Sequence, residues 1–206
     1  MKRIIALLSL AVLALPAFAD DVAVMQIQTG EKIQRVVIEF YDDAAPLTAA
    51  NFKKLASKRF YNGTAFHRVF PDQRVQGGDP LSKNKNATGI GTGGPGYTLP
   101  PEIARKHITG AIAAARLPDK INPARVSNGS QFYITLVPAP NLDGQYTVFG
   151  HVIEGLDVLN AISQLRTDTN DTPVDRAVIQ SIHIVPREAA AKTDKTRLQR
   201  FFHRLF

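Results

Sequence analysis

Two short stretches of this 206-residue chain set polar side chains inside apolar runs. One is Phe66-His67-Arg68-Val69-Phe70-Pro71, followed by Gln76-Gly77-Gly78-Asp79. The other is Asn128-Gly129-Ser130-Gln131-Phe132-Tyr133-Ile134. Each places a donor-rich group, Arg68, Gln76 or Gln131, within a strand-like run. An arginine buried there is uncommon unless it is paired or functional. Strand alternation predicts Arg68 and Phe66 on one face, and Gln131 with Tyr133 on one face. Two readings stay open at this point. Arg68 is a working group or a paired structural arginine, and the glutamines serve a ligand or satisfy buried backbone groups.

Other chemistries find no support in the sequence. Cysteine is absent, which removes disulfides, zinc–thiolate sites and thiol nucleophiles. The five histidines, His67, His107, His151, His183 and His203, show no metal-ligand spacing, and no metal site is expected. Neither G-x-S-x-G nor H-E-x-x-H occurs. Gly89, Gly91 and Gly94 spell G-x-G-x-x-G, but inside the polar stretch Ser82–Gly96. A dinucleotide site needs a strand before that motif and a helix after it. The sequon Asn62-Gly63-Thr64 matters only in a glycosylating pathway.

Elements must hold these residues in place. Val22–Thr29 and Lys32–Phe40 read as a hairpin around Gly30-Glu31. Ala45-Pro46 opens a helix running to about Lys58, with Leu47, Phe52, Leu55 and Ala56 as its apolar face. Short β-rich pieces follow at Ala65–Phe70, Arg74–Gln76, Ile108–Ala115, Phe132–Val137 and Thr147–Ile153. Leu156–Leu165 reads as a second helix and Val178–Val185 as a last strand. About eight strands and two helices without strict alternation predict a mainly β domain. The expected form is a closed eight-stranded antiparallel β-barrel capped by two α-helices.

The chain ends carry most of the charge. Residues 1–19 read as a signal peptide. Lys2 and Arg3 precede an uncharged run from Ile4 to Leu15, and Ala17-Phe18-Ala19 supplies the cleavage site. A 12-residue helix at about 1.5 Å per residue reaches only about 18 Å, short of a roughly 30 Å hydrocarbon core. An exported, periplasmic protein follows. Residues 20–186 form the domain, and residues 187–206 a basic tail. In the tail Leu198, Phe201, Phe202, Leu205 and Phe206 share one face of an amphipathic helix. That face over residues 197–206 suits a membrane surface or a partner, or it docks on this chain itself. The pI of 9.8 suggests nucleic acid, but the formal net charge of +7 divides unevenly. The leader holds +2, the tail +4 and the domain only +1, so no nucleic-acid partner is expected.

The domain resembles the cyclophilins, the peptidyl-prolyl cis–trans isomerases. The resemblance spans nearly all of residues 22–186. It rests on Phe60-Tyr61-Asn62-Gly63-Thr64, Phe66-His67-Arg68-Val69, Gln76-Gly77-Gly78-Asp79, Gly93-Gly94-Pro95-Gly96-Tyr97, Asn128-Gly129-Ser130-Gln131-Phe132 and Leu142-Asp143-Gly144-Gln145-Tyr146-Thr147-Val148-Phe149-Gly150. It is most similar to the exported bacterial branch. The resemblance implies an isomerase without cofactor that acts on proline-containing polypeptides and assists folding of exported proteins. Arg68 would be the catalytic arginine, with Gln76 orienting it or the substrate carbonyl. Phe66, Gln131, Ala115 and Arg116 would contact substrate, the last three along the groove for residues before proline. Tyr133, Leu142 and Tyr146 would wall the proline pocket, with Tyr133 bringing in a hydroxyl.

Departures from the family matter. Gln73 and Arg74 stand where the family usually has two apolar pocket residues. Asn141 stands at the family's cyclosporin-contacting Trp position, so weak cyclosporin binding is expected. Gln73 and Arg74 favour a second reading, a non-catalytic proline-peptide-binding module or chaperone on the same fold. Nothing in the residues requires an oligomer, and a monomer is expected.

Overall fold

The computed structural model describes residues 20–191. The expected leader at residues 1–19 and the apolar face from Leu198 to Phe206 lie outside the described residues.

Strands β1 (Asp21–Thr29) and β2 (Lys32–Phe40) pair antiparallel with Thr29 opposite Lys32. The two-residue turn requires a left-handed backbone, and Gly30 supplies it at φ 59° without a Cβ clash. Helix α1 (Pro46–Ser57) follows. Its proline lies in the first turn, where the missing N–H is no loss. No local side chain caps this helix. The Glu102 carboxylate does so from the far loop, accepting from Leu47 N and Thr48 N at 2.9 Å each and from the Thr48 hydroxyl at 2.7 Å. Phe52, Leu55 and Ala56 face the core as expected, but Leu47 is 54% exposed. It sits in the first turn beside the Glu102 cap, off the buried stripe.

Strands β3 (Arg68–Phe70), β4 (Arg74–Gly77), β5 (Ala111–Ala114), β6 (Phe132–Thr135), β7 (Val148–Glu154) and β8 (Ala177–Pro186) complete the sheet. Helix α2 (Leu156–Ser163) precedes β8. A helical turn at residues 187–191 follows it. All pairings are antiparallel, in the order β3-β4-β6-β5-β7-β2-β1-β8. Helix α1 packs on β7 and β8, and α2 packs on β2, β3 and β4.

The expected closed barrel is corrected to an open half-barrel with β3 and β8 as edges. Strand β3 has three residues, and the run before it is irregular. Only an isolated bridge, Ala65 to Val178, links that run to β8. Flanking backbone bonds join Phe66 N to Ala177 O at 3.0 Å and Ile179 N to Thr64 O at 2.8 Å. The β3 edge is further covered where Val69 N donates to Asp171 O at 2.9 Å. Such cover blunts an edge that would otherwise recruit another strand.

Alternation assigns the two sheet faces. Val69, Val75, Ile112, Ala114, Phe132 and Ile134 point into the main core with Phe52 and Phe149. Phe132 makes edge contacts with Phe52, Tyr61 and Phe66 at 5.6, 5.9 and 6.2 Å. On the opposite face Ala111, Ala113, Ala115, Tyr133 and Val148 form a small second cluster with Tyr41, Leu142 and Tyr146. The candidate site lies on this second face.

Candidate active site

Ladder register lines up the site. Arg68 on β3 is opposite Gln76 on β4, Gln76 is opposite Tyr133 on β6, and Tyr133 is opposite Ala113 on β5. Adjacent strands are about 4.8 Å apart, so these side chains form one row across the sheet. A cavity of about 600 Å³ opens over the row. Eight of the nine expected residues line it: Arg68, Gln76, Ala115, Arg116, Gln131, Tyr133, Leu142 and Tyr146. Phe66 does not. It is 1% exposed, packed in the main core against Phe132. Strand alternation does not extend to Phe66, because regular strand begins only at Arg68.

Arg68 is not a buried arginine. Its side chain is 44% exposed, and its guanidinium pairs with Asp171 at 3.1 Å. Gln76 bonds to Gln131 rather than to Arg68, its amide donating to Gln131 Oε1 at 3.1 Å. Gln131 in turn donates to the carbonyls of Gly91 and Gly93 at 3.0 and 2.8 Å. The amide pair is thereby locked to the loop carrying the literal G-x-G-x-x-G. That loop wraps one of the protein's own carboxylates. Asp79 is fully buried and accepts from Leu81 N, Gly91 N and Gly93 N. A Cβ on Gly93 would stand 2.2 Å from Asp79 Oδ1, so only glycine lets the backbone approach this closely.

Tyr133 does not present its hydroxyl to the cavity. The oxygen meets His107 Nε2 at 2.8 Å, and the two rings are parallel. His107 is held from its other side, where Nδ1 and the backbone N meet Asp143 Oδ1 at 2.9 and 2.7 Å. These His107 bonds favour the carboxylate and hold the Asp143 carboxyl below its ordinary range. Burial pushes the Tyr133 phenol well above its ordinary value, so it stays a neutral hydroxyl. The chain Asp143–His107–Tyr133 fixes the ring as an apolar wall with Tyr146 set edge-on at 5.6 Å. Arg116 braces Tyr146, its guanidinium 4.5 Å from the ring centre and its Nε donating to Gln145 O at 3.0 Å.

Sequence reasoning missed Asp171, His107 and Asp143 as supports of the row. It also missed the apolar rim of Leu117, Pro118 and Ile121. Only the rim had a local signal, since Leu117 and Ile121 are apolar yet 61% and 67% exposed. Asn141 is exposed beside Leu142. Among the described residues no cluster of three His, Cys, Asp or Glu side chains could hold a metal ion. The arrangement offers an apolar slot beside fixed donors, which suits binding and polarising a neutral amide.

Comparison with known proteins shows the family to which the chain belongs. The family model "Cyclophilin type peptidyl-prolyl cis-trans isomerase/CLD" matches residues 24–184, and the chain belongs to that family of isomerases. It is similar to the peptidyl-prolyl cis-trans isomerase ppi1 of Schizosaccharomyces pombe, 40% identical over 152 residues, covering 73% of this chain and 92% of that one. The human peptidyl-prolyl cis-trans isomerase-like 1 is 38% identical over 140 residues, covering 68% and 80% of the two chains. Among solved structures, a cyclophilin type isomerase of Cryptosporidium parvum superposes with a TM-score of 0.67 at 30% identity, covering 80% of this chain and 98% of that one. The same protein in the presence of the dipeptide Ala-Pro gives 0.67 at 29% identity, with the same coverage. These relatives are eukaryotic and give no support to the expected membership of an exported bacterial branch.

Proposed function

We propose that this chain is an exported, periplasmic isomerase that accelerates X–Pro rotation in exported proteins as they fold. The observation that carries the catalytic reading is the row Arg68–Gln76–Tyr133 over one cavity, with an apolar wall facing a guanidinium. An X–Pro bond rotates over a barrier of about 20 kcal/mol and takes tens of seconds unaided. No bond to substrate is needed, only a site that holds the twisted amide better than either planar form. Twisting breaks conjugation and leaves the proline nitrogen a better acceptor. Arg68 then donates to that nitrogen. Tyr133, Leu142 and Tyr146 hold the ring, while Gln131, Ala115 and Arg116 line the groove for the residues before it. Gln76, tied to Gln131, couples the two parts.

The test is a prolyl-isomerisation assay on a short X-Pro peptide. Arg68→Ala is expected to lower kcat/KM by about 100-fold, within the range for removing one transition-state donor. Equal rates for wild type and variant would reject the catalytic role and favour the binding-module reading that Gln73 and Arg74 first suggested. Export is supported by the charged start, short apolar run and Ala17-Phe18-Ala19. Expressed from its full sequence in a Gram-negative host, the protein is expected in the periplasmic fraction with Asp20 as its N-terminal residue. An intact Met1 in the cytoplasmic fraction would overturn export.

A further inference from the structure

Among the described residues the cavity is lined by three arginines, Arg68, Arg74 and Arg116, and by no Asp or Glu. Two of the three are neutralised from outside it. Arg68 pairs with Asp171, and Arg116 pairs with Asp119 at 2.5 Å. Asp119 also binds Arg125 at 2.7 Å, and these arginines hold its carboxyl below the ordinary range. Among the described residues no carboxylate pairs with Arg74.

Arg74 is nevertheless held in place. It faces Phe70 across the β3–β4 turn, and its guanidinium stands 4.1 Å from the Phe70 ring centre. The ring anchors the cation by its face while leaving its N–H donors free. Arg74 is half-buried and opposite Thr135, two residues along β6 from Tyr133. The free cation therefore adjoins the wall proposed to hold the proline ring, where an apolar side chain would otherwise extend that wall. In a partly enclosed site an unpaired guanidinium is screened less than on an open surface.

We propose that Arg74 makes this site selective for proline segments with an acidic side chain within two residues of the proline. The proposal rests on the X–Pro-binding reading above and names the substrate class within it. A carboxylate there pairs with the guanidinium in fork geometry. A lysine at the same place meets the unpaired cation of Arg74. Arg74 acts on selection between substrates, while Arg68 acts on the rotating bond.

The test scans Glu, Gln and Lys through the two positions on each side of proline in an otherwise alanine peptide. Exchange rates are read by NMR and binding by calorimetry. At one position or more, kcat/KM for Glu is expected to exceed that for Gln by about tenfold, equivalent to about 1.4 kcal/mol. Lys is expected to fall below Gln. The Glu:Gln ratio should collapse toward one in 1 M salt, where the Debye length is about 3 Å. Arg74→Gln should also bring the ratio to near one, and Arg74→Lys should retain part of it. The ratio within each variant is the readout, so a general change in rate or folding does not imitate the effect. Absence of a Glu preference at every position would overturn the proposal, as would a preference that survives Arg74→Gln. If no peptide is turned over but the calorimetric Glu:Gln ratio follows Arg74, catalysis fails and the selectivity stands.

Discussion

At the scale of single residues, the site depends on partners distant in sequence. Arg68 draws its orientation from Asp171, 103 positions away, through a half-exposed pair. Exposed pairs contribute about 0–1 kcal/mol to stability, so the value of this one lies in aiming the guanidinium. Asp171→Asn is expected to lower kcat/KM by about three- to tenfold while moving the urea midpoint little. A large stability loss at unchanged kcat/KM would show instead that Asp171 only covers the β3 edge. The roles of Gln76 and Gln131 could be drawn from the resemblance, but their mutual bond could not. A glutamine in a strand carries no mark of which amide it will meet. The Tyr133 hydroxyl is a similar case. A tyrosine facing a cavity reads as a polar tip in the pocket, whereas His107, held by Asp143, takes that tip and leaves the ring.

At the scale of elements, helix α1 shows how a local pattern is completed from elsewhere. Its proline and apolar stripe were legible, but the capping group was not, because no local side chain caps it. Glu102 bonds two backbone N–H groups and one hydroxyl in the first turn. It places negative charge at the positive end of the helix dipole. Glu102→Ala is expected to cost about 1–2 kcal/mol, as for loss of an N-cap, seen as a lower urea midpoint at an unchanged slope. An unchanged midpoint would mean water replaces the carboxylate at no cost. Strand ends were read less well than strand centres. Ile108–Ala115 shortens to Ala111–Ala114, and Ala65–Phe70 to Arg68–Phe70. Apolar composition continues past the point where ladder bonds stop, and the face assigned to Phe66 was lost with them.

At the scale of the whole molecule, acid sensitivity follows from one buried imidazole. His67 is 3% exposed, and neither ring nitrogen has a partner in hydrogen-bond geometry. The neighbouring Gln131 amide is committed to Gly91 and Gly93. Burial pushes the His67 pKa below 6.5, against an opposing pull from Asp79. Above that value both folded and unfolded chains hold it neutral. As pH falls below 6.5 the unfolded chain takes up the proton first, so stability declines until the lowered folded value is passed. The urea midpoint is expected to drop between pH 7.5 and 5.5 by more in wild type than in His67→Asn. Equal drops would place the acid sensitivity elsewhere. By itself the sequence determined the identity of the elements, the family, the near-neutral charge of the domain and eight of the residues that line the cavity. These follow from local periodicity and ordered motifs, which survive without knowledge of the fold. Only the tertiary structure decided that the barrel stays open, that Asp171 rather than Gln76 meets Arg68, that Phe66 belongs to the core, and that among the described residues Arg74 alone of three cavity arginines pairs with no acid. Those outcomes depend on ladder register and on loops that meet across more than a hundred residues, and no local pattern encodes such meetings.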